Sequence, residues 1–126
     1  MTVIGHGIDM VVVTELQRWI EDERNPFLSR CFTKAELDEI EDGPSRTERL
    51  AGRFAAKEAV LKALRTGFGA GIAFSDVVIQ RSHGSPPQVL LYGGAAKAAA
   101  TLGVTNWQLS ISHAGGMAMA SAIATD

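Results

Sequence analysis

Asp9, Glu58 and Lys62 are the residues whose types and surroundings are hardest to explain without chemistry. Asp9 lies inside an apolar, β-branched run, with Ile8 before it and Met10-Val11-Val12-Val13 after it. A buried aspartate without a partner is very costly, so Asp9 must be ion-paired, hydrogen-bonded or metal-bound. The strand alone leaves a metal ligand and a polar tie to a loop backbone equally open. Glu58 and Lys62 stand four apart in a helical segment and share one face. Around them run Arg46, Arg49, Arg53 and Lys57. A carboxylate among so many cations can hold a metal ion while its neighbours hold phosphates. The plainer reading is an exposed pair contributing about 0.2–0.5 kcal/mol. His6 has no Cys or His at metal spacing and reads as a half-exposed strand residue.

The element that must position Glu58 and Lys62 is the helix containing Ala51-Gly52-Arg53-Phe54-Ala55-Ala56-Lys57-Glu58-Ala59. Ser45 as N-cap with Glu48 three residues later predicts its start, and Gly67 and Gly69 predict its end. Leu50, Phe54, Leu61 and Leu64 give it an apolar face. Ala51, Ala55, Ala59 and Ala63 give it a stripe that another backbone can approach closely. Val3–Val13 reads as a strand, interrupted by Gly5 and Gly7, which signals a bulge or a close approach. A helix capped by Thr14 follows to about Asp22, then a short apolar piece over Phe27–Phe32. A further helix is capped by Thr33 with Glu36 completing a capping box. Beyond the central helix, Gly67–Gly71 reads as a loop able to cradle a phosphate but without a P-loop's Lys-Ser/Thr ending. Strands at Phe74–Gln80 and Gln88–Tyr92, a helix at Gly93–Leu102, and strands at Trp107–Ser112 and Met117–Ala124 complete the chain. This order predicts an α+β fold, a small antiparallel sheet packed on a long central helix.

The 126 residues suit one domain, residues 1–126, with no repeat or dividing linker. A net charge of −2 and a basic stripe without stacking aromatics argue against nucleic acid. No run of 18 apolar residues predicts a membrane span, and no basic-then-apolar leader is visible. The single Cys31 fits a reducing cytoplasm and reads as a small buried apolar residue.

Gly7-Ile8-Asp9, Phe32-Thr33-x-x-Glu36-Leu37, the Arg53-Phe54-Ala55-Ala56-Lys57-Glu58-Ala59 block, Gly84-x-Pro86 and Ser110-Ile111-Ser112-His113 occur in this order. Together they resemble the holo-[acyl-carrier-protein] synthases, the short single-domain phosphopantetheinyl transferases, over roughly residues 3 to 124. The resemblance implies the 4′-phosphopantetheinyl transferase fold. It implies transfer of 4′-phosphopantetheine from coenzyme A to a serine of apo acyl carrier protein in fatty acid biosynthesis. Adenosine 3′,5′-bisphosphate is then released. It implies Mg²⁺ on Asp9 and Glu58, since Mg²⁺ takes one or two protein carboxylates and completes its shell with water and substrate phosphates. By the same resemblance Lys62 stabilises charge on the pyrophosphate, and Glu58 or a metal-bound water takes the serine proton. Arg46, Arg53, Lys57 and His113 are candidate phosphate contacts, with a satisfied core histidine as the other reading of His113. Gly84 and Pro86 resemble the adenine-side segment and read equally as a plain turn. Family members of this size are homotrimers with sites between subunits, and alanine-rich Met117–Ala124 offers apolar surface for that assembly.

Two positions depart from the family pattern. Glu15 stands where many members carry an arginine that meets the acidic carrier protein, so Arg18 and Arg24 become the candidate docking residues. Ala114 follows His113 where some members have an acid, which favours the metal-water route for the proton. Transfer to a polyketide-type carrier and a catalytically silent coenzyme A-binding trimer are the alternative readings.

Overall fold

In a computed structural model, residues 1–66, 71–81 and 84–126 are described. The expectations placed on Gly67, Gly69 and the loop joining them lie outside these residues. Strand β1, Val3–Val12, leads straight into helix α1, Val13–Glu21. Two short helices follow, α2 at Phe27–Cys31 and α3 at Lys34–Glu39, and then the long helix α4 at Arg46–Ala63. A 3₁₀ turn at Phe74–Asp76 precedes strands β2, Val77–Gln80, and β3, Gln88–Leu91. Helix α5, Gly93–Leu102, leads to β4, Asn106–Ala114, and β5, Met117–Thr125.

The strands form two antiparallel sheets, one ordered β1-β5-β4 and one made of β2 and β3. Gly115 and Gly116, both at positive φ, make the two-residue turn between β4 and β5. Helix α4 packs on the three-stranded sheet, and its alanine stripe explains how. A Cβ at Gly5 would lie 2.0 Å from the Ala63 carbonyl oxygen, and one at Gly7 would lie 1.9 Å from that of Ala59. The glycines and alanines therefore bring helix and strand backbones into direct contact. Ala118, Ala120, Ala122 and Ala124 of β5 are buried on the same inner face. They fill the space under α4, and β5 contributes to the exposed apolar surface through Met119 on its other face, as its sequence suggests. The exposed apolar surface is on the opposite face of the sheet, where Ile8, Met10 and Met119 stand in adjacent pairs of β1 and β5. An aromatic cluster of Trp19, Phe27, Phe32, Phe54 and Phe74 closes the other side of α4.

Three helix starts were read from the sequence, and one is capped as read. Thr33 accepts the Glu36 amide and Glu36 accepts the Thr33 amide, a complete capping box. Ser45 makes no side-chain cap on α4, and Glu48 turns its carboxylate to His113 instead of back to the Ser45 amide, so neither half of the expected capping box forms. Thr14 lies within α1, which begins one residue earlier as the chain leaves β1 without a break. The last turn of α4 closes on Leu64, with Arg65 at φ 60° and its guanidinium on the Ile4 carbonyl, 2.8 Å away.

Candidate active site

The contact between β1 and α4 that excludes side chains at Gly5 and Gly7 sets the next residue along, Asp9, against the following face of α4. Lys62 Nζ lies 3.0 Å from Asp9 Oδ1 and donates also to the Ile8 carbonyl at 3.0 Å. Asp9 is the more enclosed partner, 17% exposed against 52% for the Lys62 side chain. The ammonium expected beside Glu58 is thus drawn to the strand. Glu58 itself is half-buried on α4. Burial pushes its carboxyl above the ordinary range, the Asp9 charge pushes it further, and Lys62 partly offsets both. Two carboxylates that repel one another beside one cation are a ready site for a divalent cation, which removes that repulsion. Among the described residues there is no group of three or more His, Cys, Asp or Glu able to hold a metal, so the Asp9–Glu58 pair would leave most of a metal's shell to water and substrate oxygens.

A second polar feature is a cleft of about 790 Å³ between α3, the N-terminal half of α4 and β4. Glu39, Glu41 and Glu48 line it together with Arg49, Arg53, Arg81, Gly84 and His113. Arg53 is held in place by the Ile79 carbonyl at 2.9 Å and by Glu39 at 3.6 Å. Glu39 also accepts the Arg81 amide at 3.0 Å. His113 Nδ1 lies 3.0 Å from Glu48 Oε2. Arg49 and Arg81 line the cleft with no side-chain ion pair among the described residues, and the sequence did not single them out as ligand contacts. Arg49 had one signal, its place on the basic line of α4; Arg81 had none.

The basic line of α4 suggests Lys57 as a phosphate contact, but its side chain is 0% exposed. Its ammonium lies 2.8 Å from Glu36 Oε1 and donates to the carbonyls of Val77, 2.5 Å, and Phe74, 3.2 Å. The Phe32 ring lies under it, 5.0 Å from the centroid. Lys57 points away from the cleft because α4 turns that position toward α3 and β2, where Glu36 is equally enclosed. Arg46 is also committed elsewhere, to the Ile40 carbonyl at 2.8 Å and Asp42 at 3.7 Å, and it does not line the cleft. Pro86 is exposed outside the cleft and Gly84 borders it, with φ +79°. Arg18 and Arg24 are exposed near the end of α1, Arg24 beside Asp22 at 3.6 Å. Asp9, Glu58 and Lys62 do not line the cleft that holds His113, so within one chain the two groups are separate.

The sequence profile of the 4′-phosphopantetheinyl transferase superfamily matches residues 5–118. The chain belongs to this superfamily. Its relatives include a holo-[acyl-carrier-protein] synthase of Solibacter usitatus, 39% identical over 96% of this chain and 97% of that one. A holo-[acyl-carrier-protein] synthase of Desulforudis audaxviator is 44% identical over 97% of this chain and 92% of that one. Among solved structures, the holo-[acyl-carrier-protein] synthase of Neisseria meningitidis superposes with a TM-score of 0.87 and 27% identity, covering 99% of this chain and 100% of that one. The Helicobacter pylori synthase in complex with coenzyme A gives 0.80 and 29%, covering 95% and 99%. The α+β fold and the enzymatic character expected of a phosphopantetheinyl transferase are therefore those of this chain. No helix among the described residues is long and apolar enough to cross a membrane.

Proposed function

We propose that this single-domain enzyme transfers 4′-phosphopantetheine from coenzyme A to a serine of an apo acyl carrier protein, in the cytoplasm and in support of fatty acid synthesis. The observation that carries the reading is the Asp9–Glu58 carboxylate pair, assembled from β1 and α4 with Lys62 3.0 Å from Asp9. These two carboxylates would hold Mg²⁺, which when bound neutralises pyrophosphate charge and polarises its oxygens. Lys62, half out in solvent, is free to exchange Asp9 for a pyrophosphate oxygen and to stabilise charge there as the P–O bond breaks. The serine Oγ attacks one phosphorus of coenzyme A, the new O–P bond forms, and adenosine 3′,5′-bisphosphate leaves with the old bridging oxygen. Ala114 provides no acid beside His113, so Glu58, directly or through a water, would take the serine proton.

The cleft of His113, Arg53, Arg49 and Arg81 suits the remaining phosphates of coenzyme A. Because it is separate from Asp9 and Glu58 within one chain, a complete site needs a neighbouring subunit. The exposed apolar face of Ile8, Met10 and Met119 supports an oligomer, which we read as a homotrimer. Arg18 and Arg24, exposed near the end of α1, would meet an acidic carrier. Asp9→Ala and Glu58→Ala should each abolish turnover while leaving circular dichroism unchanged. Full activity in either variant would refute the role of the pair.

A further inference from the structure

We propose that Glu48 is a positioning residue for His113: its carboxylate takes the imidazole Nδ1–H and so makes Nε2 the ring nitrogen that meets the ligand. This rests on the reading of the cleft as the coenzyme A phosphate site. The geometry begins with Gly52. A Cβ there would lie 2.9 Å from the Cγ2 methyl of Ile111, so Gly52 makes room for the Ile111 side chain of β4 against α4. Glu48 is one helical turn before Gly52, and His113 is two residues beyond Ile111 on the same face of β4. The close approach at Gly52 thus brings the carboxylate and the imidazole together, with Oε2 3.0 Å from Nδ1.

An ionised carboxylate can only accept, so in the proposed arrangement the 3.0 Å approach of Oε2 to Nδ1 places a proton on Nδ1. Which nitrogen of a histidine is available is decided by the bond the other one makes. With Nδ1 occupied, Nε2 has no partner among the described residues. The remaining charged groups lining the cleft are Arg49 and Arg53 on α4, Glu39 and Glu41 at and beyond the end of α3, and Arg81 after β2. Glu39 is occupied by Arg53 and the Arg81 amide. Glu48 is therefore the carboxylate given to His113. Both side chains are well exposed, 53% for His113 and 41% for Glu48, so this bond does little for folding stability. Its value is orientation.

The test combines NMR with kinetics on the intact enzyme. Long-range ¹⁵N–¹H spectra at mildly alkaline pH should show His113 as the Nδ1–H tautomer in the wild type and as Nε2–H in Glu48→Ala. Glu48→Ala should raise KM for coenzyme A about tenfold, the worth of one charge-assisted hydrogen bond, with kcat changed less than about twofold. Glu48→Gln, whose Oε1 still accepts from Nδ1–H, should recover most of the loss. In a His113→Ala background, Glu48→Ala should add nothing. An Nε2–H tautomer in the wild type, a tautomer indifferent to Glu48→Ala, or a further loss in the His113→Ala background would each overturn the proposal. If the enzyme does not bind coenzyme A, the reading of the cleft fails, and the tautomer measurement still decides the role of Glu48.

Discussion

Replacing Lys57 by methionine separates a folding role from a ligand role at a position where the sequence suggested the second. The side chain is 0% exposed and its partner Glu36 is 2% exposed. Methionine keeps most of the volume and removes the charge and three hydrogen bonds. Glu36 would retain the amides of Thr33, 2.9 Å, and Ile79, 3.0 Å, but would lose its counter-ion. The carbonyls of Val77 and Phe74 would lose a donor. Breaking a buried pair from one side costs about 3–5 kcal/mol. For 126 residues the entropy of unfolding is about 0.26 kcal/mol per degree, so Tm should fall by roughly 11–19 °C. The assay is thermal and urea unfolding of wild type and variant, beside KM for coenzyme A at a temperature where both are folded. Glu36→Gln/Lys57→Met should recover part of the loss, since no uncompensated charge is left. A variant with unchanged Tm and a KM raised tenfold or more would refute the reasoning and return Lys57 to the phosphates.

The backbone contact of β1 with α4 predicts that Gly7→Ala destabilises by about 3 kcal/mol, because the new Cβ meets main-chain atoms that cannot turn aside; urea unfolding midpoints check this, and a wild-type midpoint contradicts it. Glu58→Gln should abolish turnover yet raise Tm of the ligand-free protein at neutral pH. A carboxyl whose folded pKa is raised contributes stability below its ordinary unfolded value and loses it as pH rises through the folded one, so the gain should disappear in acid. Cys31 is buried, and burial pushes its thiol up to about 11, so a thiolate-specific reagent should modify it only as the protein unfolds. Its contribution to stability, whole below the ordinary thiol value of 9.0, should be lost as pH rises through about 11, and Cys31→Ala should remove that slope. Met10→Glu, on the exposed face of the sheet, should yield monomers by light scattering and lose activity, whereas an active monomer would contradict a composite site.

Features set by local chemistry could be read from the sequence. Thr33 and Glu36 cap α3 because a capping box needs only its own four residues. The Ala51–Ala63 stripe and the Gly5/Gly7 pair announced a close approach, and they turn out to be its two sides. What failed was partner choice across the fold. Ser45 and Glu48 have the same spacing as Thr33 and Glu36, but a histidine sixty-odd residues away takes the carboxylate. Lys62 was paired on the helix with Glu58, yet strand β1 offers it both a carboxylate and a carbonyl. Lys57 keeps to the line of Arg46, Arg49 and Arg53 on α4, but at its level Glu36 and the carbonyls of Phe74 and Val77 cover that line. The apolar outer surface expected of the sheet is supplied by Ile8, Met10 and Met119, while the small alanines of β5 serve the inner face. Helical spacing gives neighbours on one element; it does not say which element covers them.

The central claim is a transfer, and intact-mass spectrometry of the acceptor tests it most directly. An apo acyl carrier protein is incubated with this enzyme, coenzyme A and Mg²⁺, beside a sample containing EDTA. The account predicts that the carrier gains the mass of one phosphopantetheine, and that EDTA prevents the gain. A carrier of unchanged mass after incubation with an enzyme that binds coenzyme A, whichever fatty-acid or polyketide carrier is offered, would contradict it.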